Sequence, residues 1–322
     1  MPNSAATNFF LVDASIYIFQ SHFSPNVQCV DLDGNDVSAT LGFIQFLLQL
    51  LRVTNPHYIA LAFDESLFTG FRHAISNDYK SNRELPDRAL KNQIECCKKI
   101  ARSLGCRVYA SKKYEADDII GILATQIRKL NDCASRGVGI VTRDKDLAQL
   151  LFSDQDFLWD FSRNRRRFRG DIAAEFGVKA EQIPDYLGLV GDAVDAIPGV
   201  FGIGRVKASL LLAHYSSIED IYNCLSNVGE LPVAGAKQLQ EKLMESRDSA
   251  FLSKRLATIV TETRDASESF GRITLENIRL GSIQMNDFLG VIEGLRFPNL
   301  LIDSLERSVL RLDEMFKVVS VL

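Results

Sequence analysis

The sequence predicts an α/β fold, a parallel sheet flanked by helices, followed by a mostly helical subdomain. Apolar, strand-length runs alternate with helical stretches as far as about residue 160, the pattern of parallel strands covered by helices. Three of the runs, at 9–13, 58–64 and 138–144, end in an aspartate. From Asp171 onward the pattern turns helical, with short glycine-rich turns, notably between Gly191 and Gly204. The division expected is 1–187 for the sheet domain and 188–322 for the helical part.

In chain order, strands are expected at 9–13, 58–64, 106–110, 138–142 and 157–161, where short apolar runs are bounded by polar residues. Helices are expected between them at about 39–53, 88–104, 116–130 and 146–152. The stretch 65–85 is the least regular of the first part. Long structureless connections are uncommon in compact domains, so a functional loop or arch is expected there, at about 65–104 with the helix that follows.

At 322 residues the chain can bury a substantial core and a second, smaller one. Its longest apolar runs fall short of the roughly 20 residues a membrane span requires. Residues 1–8 lack the basic and apolar regions of a secretory signal, so a cytoplasmic location is expected. Six cysteines (Cys29, Cys96, Cys97, Cys106, Cys133 and Cys224) include no C-x-x-C pair and read as reduced thiols. The net charge of −4 is not that of a typical nucleic-acid-binding domain. Local distribution says otherwise: with nine clustered acids neutralised by cations, 37 basic residues face 32 acids, a mildly basic balance of +5. Arg163, Arg165, Arg166, Arg167 and Arg169 crowd one hairpin-like segment, which by itself reads as a solvated turn.

The nine acids are Asp13, Asp64, Glu115, Asp117, Asp118, Asp144, Asp146, Asp192 and Asp195. Singly, each has a plain explanation. Asp13 can cap a helix, and Glu115, Asp117 and Asp118 at a helix start complement its dipole. Three acids within four positions nevertheless exceed what capping requires, and their repulsion has to be offset. Asp144 and Asp146 flank a strand-to-helix turn and can reach one cation; Asp192 and Asp195 have the spacing of one helix face. Parallel strands expose their carboxyl ends along one sheet edge, where ligands bind at a topological switch point, so an acidic crevice is expected there. Carboxylate oxygens suit Mg²⁺ or Mn²⁺, whereas His22, His57, His73 and His214 show no zinc-ligand spacing. Two such ions about 3.5–4 Å apart would activate a water and stabilise both oxygens of a phosphoryl transfer.

The turn Pro198-Gly199-Val200-Phe201-Gly202-Ile203-Gly204-Arg205-Val206-Lys207 lets backbone N–H groups approach a phosphate. No strand precedes it and Lys207 stands where a third glycine belongs, so it is not a dinucleotide fingerprint. A plain helical corner favours the same glycines. With Lys207 on its second helix, the turn could also grip a DNA backbone without reading sequence.

In these motifs the chain resembles the 5′ nucleases, which include the N-terminal nuclease domain of bacterial DNA polymerase I and the phage and eukaryotic flap endonucleases. The resemblance runs from Phe10-Leu11-Val12-Asp13 through Tyr114-Glu115-Ala116-Asp117-Asp118, Asp144-Lys145-Asp146-Leu147, Gly191-Asp192 and Pro198-Gly199-Val200 to Gly202-Ile203-Gly204. It implies a PIN-like sheet domain followed by a helix-hairpin-helix-type subdomain. The activity implied is a metal-dependent flap endonuclease and 5′–3′ exonuclease that cuts near single-strand/double-strand junctions.

By the resemblance, Asp13, Asp64, Glu115 and Asp117 hold a first ion, with Asp118 adjoining as a further metal-binding and catalytic acid; Asp144, Asp146, Asp192 and Asp195 hold a second. The segments Phe71-Arg72 and Tyr79-Lys80-Ser81-Asn82-Arg83 are similar to the base of the family's helical arch. Lys80 and Arg83 are then expected at the scissile phosphate, Tyr79 as a stacking face for an unpaired base, and Arg72 among the DNA contacts. Gly199, Gly202, Gly204 and Lys207 would bind the duplex. The resemblance further implies two Mg²⁺ ions, with Mn²⁺ as the alternative, and K⁺ at the glycine hairpin. The expected partner is DNA with a 5′ flap or 5′ end, or an RNA–DNA hybrid, met by a monomer at the nucleoid with no membrane and no attached polymerase. Arg143 departs from the small residue often found at its position and retunes the local charge. Two rivals remain: a non-cleaving junction binder, whose mark would be missing acids, and a PIN-type ribonuclease, which lacks the glycine hairpin and helical tail.

Overall fold

The computed structural model describes residues 9–130, 137–233 and 235–319. The expectations about residues 1–8 and Cys133 lie outside them; the five described cysteines are free thiols. Six strands, β1 (Phe9–Asp13), β2 (Tyr58–Asp64), β3 (Arg107–Ser111), β4 (Val138–Val141), β5 (Phe157–Asp160) and β6 (Arg165–Arg167), form one sheet in the order β3-β2-β1-β4-β5-β6. All pairings are parallel except β5 with β6. The arginine-rich segment expected to turn back as a hairpin thus supplies an antiparallel edge strand. The chain grows outward from β1 through β2 to β3, then crosses to the other side of β1 to make β4. This reversal puts the switch point at the carboxyl ends of β1 and β4, where Asp13 and Asp144 emerge.

Strand alternation divides the core into two. Phe9 and Leu11 face one side of the sheet, Phe10 and Val12 the other, so both faces of β1 are buried. The second face is covered by α1 (Ala14–His22), α2 (Ser38–Thr54) and, after the short α3 (Phe71–Ile75), by α4 (Arg88–Ser103). The first is covered by α5 (Ala116–Lys129) through Ile119, Ile120 and Leu123.

Helix α1 is not among the helices expected in chain order, although a helix cap is one reading of Asp13. Its Ile16, Tyr17 and Ile18 have weak helix propensity, and tertiary packing decides: Tyr17 stacks on Phe46 of α2 with ring centroids 3.9 Å apart. The arch expected at about 65–104 cannot extend through α4, which buries Leu90, Cys97 and Ile100 in the core and belongs to the scaffold. Residues 65–87, with α3 among them, are the segment that crosses from β2 to α4. The helix expected at 146–152 is a 3₁₀ turn, Asp146–Leu150.

The chain continues with α6 (Arg169–Phe176), α7 (Ile183–Val190), α8 (Arg205–His214), α9 (Ile218–Asn223), α10 (Leu225–Val228), α11 (Ala236–Glu245) and α12 (Arg247–Ala257). Helix α12 lies along α7, where Gly188 lets the Ala250 carbonyl and Lys254 side chain come close. Leu187, Leu189, Leu211 and Leu256 share one buried cluster with Ile119 and Leu123 of α5. The division expected between 187 and 188 therefore falls inside α7, and the two parts share a core. The last helices, α13 (Met285–Gly294) and α14 (Asn299–Val319), do not extend the helical part as expected. They return to the sheet domain, where Phe288, Ile292, Leu305 and Val309 pack beside α2 and α4. Among the described residues no helix is long and apolar enough to cross a membrane.

Candidate active site

The strand-end acids gather as their register requires. Thr142, just past β4, clamps the turn that carries two of them: its hydroxyl donates to Asp13 Oδ2 at 3.1 Å and accepts the Asp144 N–H at 3.0 Å. Asp144 Oδ1 in turn accepts the Asp146 N–H at 2.9 Å. Asp64, ending β2, accepts from the Ser66 N–H and hydroxyl, and its own N–H donates to Ser15 Oγ. Asp13, Asp64, Asp117 and Asp144 line one cavity of about 500 Å³, which Lys80 and Arg83 also line. Asp117 faces in addition a smaller recess bordered by Glu115, Asp146 and Asp195.

Burial and then crowding govern the electrostatics. Burial first, and then the neighbouring Asp144, raise both Asp13 and Asp146 to about 7. Asp117 is driven up by the same two causes. Glu115 goes the other way: burial opposes its charge, but Lys80 and Arg72 outweigh that and hold it below the usual carboxylate range. Lys80 Nζ lies 3.0 Å from Glu115 Oε1 and 3.9 Å from Asp195 Oδ2. Lys145 Nζ lies 2.5 Å from Asp192 Oδ2, and this pairing holds Asp192 low against the effect of burial.

Whether such a site fits divalent cations turns on its donors. They are all carboxylate oxygens, the hard ligands that Mg²⁺ and Mn²⁺ select. Asp146 Oδ1 is buried and accepts no well-aligned hydrogen bond, although Lys145 Nζ lies 3.2 Å away. Repulsion among Asp13, Asp117 and Asp144 is what a bound cation relieves. The donors fit, but they are not a preformed cage. Among the described residues no three carboxylate, imidazole or thiol groups converge at the spacing of one ion, and Lys80 and Lys145 are paired with the acids instead.

Four expected roles are corrected. Asp118, expected as a metal-binding and catalytic acid, is fully buried, accepts two bonds from Arg72 and caps the start of α5 by accepting the Glu115 N–H at 3.1 Å. It points into the scaffold and not the cavity. Arg72, expected to contact DNA, is 2 % exposed and also donates to the Leu256 and Thr258 carbonyls, tying the crossing segment to the end of α12. Tyr79, expected to offer a stacking face, is likewise 2 % exposed, and its hydroxyl donates to Glu115 Oε2 at 3.0 Å. The ring has no free face for a base; the residue positions Glu115. Gly199, expected at the phosphate, donates its N–H to Ser253 Oγ at 2.9 Å and packs on the backbone of Val190 and Gly191 at φ 66°.

Lys80 and Arg83 do stand at the cavity, held by the loop that carries Asp195. The Lys80 N–H donates to the Asp195 carbonyl at 3.0 Å, and Arg83 Nη2 lies 2.5 Å from Asp195 Oδ1. Asn82 donates to the Val194 carbonyl at 3.2 Å. Gly202 and Gly204 lie on the open side of the hairpin, and Lys207 on the first turn of α8 is exposed, its Nζ 3.4 Å from the Gly202 carbonyl. Arg143 turns away from the acids toward Asp160 at the end of β5, 3.7 Å distant. Sequence reasoning missed Thr142 and Lys145; both lie inside the motif that supplied Asp144 and Asp146, but neither is an acid.

A family model described as 5′-3′ exonuclease, N-terminal resolvase-like domain, matches residues 8–179, and one described as 5′-3′ exonuclease, C-terminal SAM fold, matches residues 178–279. The chain is 35% identical over 300 residues to a DNA polymerase I of Pseudomonas aeruginosa, covering 92% of the chain but only 31% of that polymerase. It is 32% identical over 263 residues to a 5′-3′ exonuclease of Buchnera aphidicola, covering 80% of the chain and 88% of that protein. The fold is similar to that of a bacteriophage T5 flap endonuclease solved with DNA and metal ions, with a TM-score of 0.60 at 18% identity over 95% of this chain and 99% of that one. The helical match beyond residue 178 is what a bare PIN-type ribonuclease would lack.

Proposed function

Because the chain belongs to the 5′-3′ exonuclease family, we propose that it hydrolyses phosphodiester bonds of DNA at 5′ flaps and 5′ ends, near the junction of single and double strand. The observation that carries this reading is the cavity shared by Asp13, Asp64, Asp117 and Asp144 with Lys80 and Arg83. Acids from the ends of two strands, the turn after a third and the start of one helix face two cations, the charge pattern that a transferred phosphoryl group requires.

Asp13, Asp64, Glu115, Asp117, Asp144, Asp146, Asp192 and Asp195 would hold two Mg²⁺ or Mn²⁺ ions, and K⁺ would sit at the glycine hairpin. The divalent ions, when bound, neutralise charge and activate water for in-line attack. The chain's own groups do the rest. Lys80, kept charged by Glu115 despite its burial, and the exposed Arg83 face charge that builds on the phosphoryl oxygens. Tyr79 and Arg72 hold Glu115 in place. Gly202, Gly204 and Lys207 grip the duplex backbone without reading its sequence. In this reading the enzyme is a monomer in the cytoplasm at the nucleoid and also accepts RNA–DNA hybrids.

A duplex with a 5′-labelled flap, incubated with Mg²⁺ or with EDTA and resolved by product length, tests the proposal. A Mg²⁺-dependent cut near the junction is expected. Mononucleotides alone would restrict the activity to an exonuclease, and intact flap with binding retained would leave a junction binder.

A further inference from the structure

The hairpin between α7 and α8 has a fixed base and a bare apolar tip. Its base is tied down: Val200 N–H donates to the Leu189 carbonyl at 2.8 Å, Ile203 N–H to the Val200 carbonyl at 3.0 Å, and Gly199 is held between Ser253 and Ser249. Ile203 is buried below, yet Phe201 at the tip is 88 % exposed and Val206, in the first turn of α8, is 81 % exposed. An aromatic ring left in water on a rigid turn forgoes the stabilisation that burial brings. Two cations flank it. The Lys242 ammonium lies 5.7 Å from the centre of the Phe201 ring, and Lys207 reaches back to the Gly202 carbonyl. Neither lysine is within ion-pair distance of a carboxylate among the described residues, unlike Lys80, Lys145 and Lys254.

An apolar tip between unpaired cations, beside Gly204, whose α-carbon faces open space, is complementary to a polyanion with an apolar interior. Resting on the nuclease reading above, the geometry points to Phe201, assisted by Val206, as an apolar wedge that enters the minor groove of duplex DNA while Lys207 and Lys242 meet the phosphates on either side. The minor groove, about 6 Å wide, is too narrow for a helix but admits a single protruding side chain, and apolar residues inserted there partly unstack a base step. Phe201 would therefore add a contact with the base stack to the sequence-independent grip of the hairpin. Phe201 stands six positions after Asp195 in the chain, at most about 22 Å away along extended backbone. The contact then falls within roughly six base pairs of the cavity, at about 3.4 Å per pair.

The chain has one tryptophan, Trp159, which is buried, so Phe201→Trp installs a single exposed reporter. With EDTA present and a blunt duplex added, its emission should shift and its accessibility to iodide should fall several-fold, while wild type stays unchanged. A tip that remains fully accessible while a labelled duplex is bound, judged by anisotropy, would overturn the wedge. So would a protein-concentration-dependent shift without DNA, which would assign the tip to a second copy. In flap cleavage, Phe201→Ala should raise KM about 5- to 20-fold, the scale of losing part of an aromatic's burial, with the loss in KM and not in kcat; Phe201→Leu should recover most of it. An unchanged KM would also count against the wedge. Cleavage by wild type in the same assay reports separately on the nuclease reading, because the fluorescence measurement needs no cleavage.

Discussion

Arg72 holds Asp118 in a two-pronged grip, Nη1 to Oδ2 at 2.6 Å and Nη2 to Oδ1 at 2.8 Å, with both side chains out of water. Parallel bonds of this kind match the guanidinium fork to the carboxylate plane. The same guanidinium bonds the Leu256 and Thr258 carbonyls, so one side chain joins the crossing segment, the start of α5 and the end of α12. The site's walls are thereby fixed relative to one another.

Breaking this grip should be costly. Arg72→Ala leaves Asp118 buried without its partner, and removing one member of a buried pair typically costs about 3–5 kcal/mol. Urea unfolding of the two proteins measures it. A loss below about 1 kcal/mol would mean that the pair is not a structural tie. Arg72→Lys should rescue little, since an ammonium cannot make both bonds.

Tyr79 separates positioning from stacking. Tyr79→Phe keeps the ring and removes only the hydroxyl that donates to Glu115. If the residue positions Glu115, this change alone should slow cleavage several-fold, within the 0.5–1.5 kcal/mol typical of one hydrogen bond. Equal rates for wild type and Tyr79→Phe would show that this hydrogen bond does not position Glu115 for cleavage.

Stability should fall as pH rises through the weakly acidic range in metal-free buffer. Asp13 and Asp146, raised from 3.8 to about 7, bind protons in the folded chain that the unfolded chain has released between those values. The folded state is therefore favoured at the acid end of that window and loses the advantage by about pH 7. Glu115 and Asp192, held low, act oppositely but only below the usual carboxylate values. Thermal unfolding in EDTA at about pH 5 and about pH 8 should show the higher midpoint at the lower pH, and Mg²⁺ at about pH 8 should restore it. A midpoint that climbs with pH in EDTA would show that burial and crowding do not raise these acids.

Much of this site was legible in the sequence because its logic is local. Asp13 and Asp64 end uninterrupted apolar runs and Asp144 follows one, and parallel strands deliver such ends to one edge. The distinction between Asp117 and Asp118 was not legible. They are identical acids one residue apart, and about 100° of helical rotation sends one to the cavity and the other to Arg72. Tyr79 likewise read as a loop residue, since its burial depends on Glu115, 36 residues further on. The return of α14 to the sheet domain is a long-range packing choice that its own periodicity does not encode.

That acids from separate strand ends act as one hydrolytic site is tested by cleavage of a 5′-flap duplex by Asp13→Ala and Asp144→Ala beside wild type, with junction binding measured on the same preparations. Each variant should lose at least ~10²-fold in rate, the scale of removing one contributor to transition-state electrostatics, while affinity for the junction is retained. Cleavage by either variant at near the wild-type rate would mean that the strand-end acids do not form one hydrolytic site.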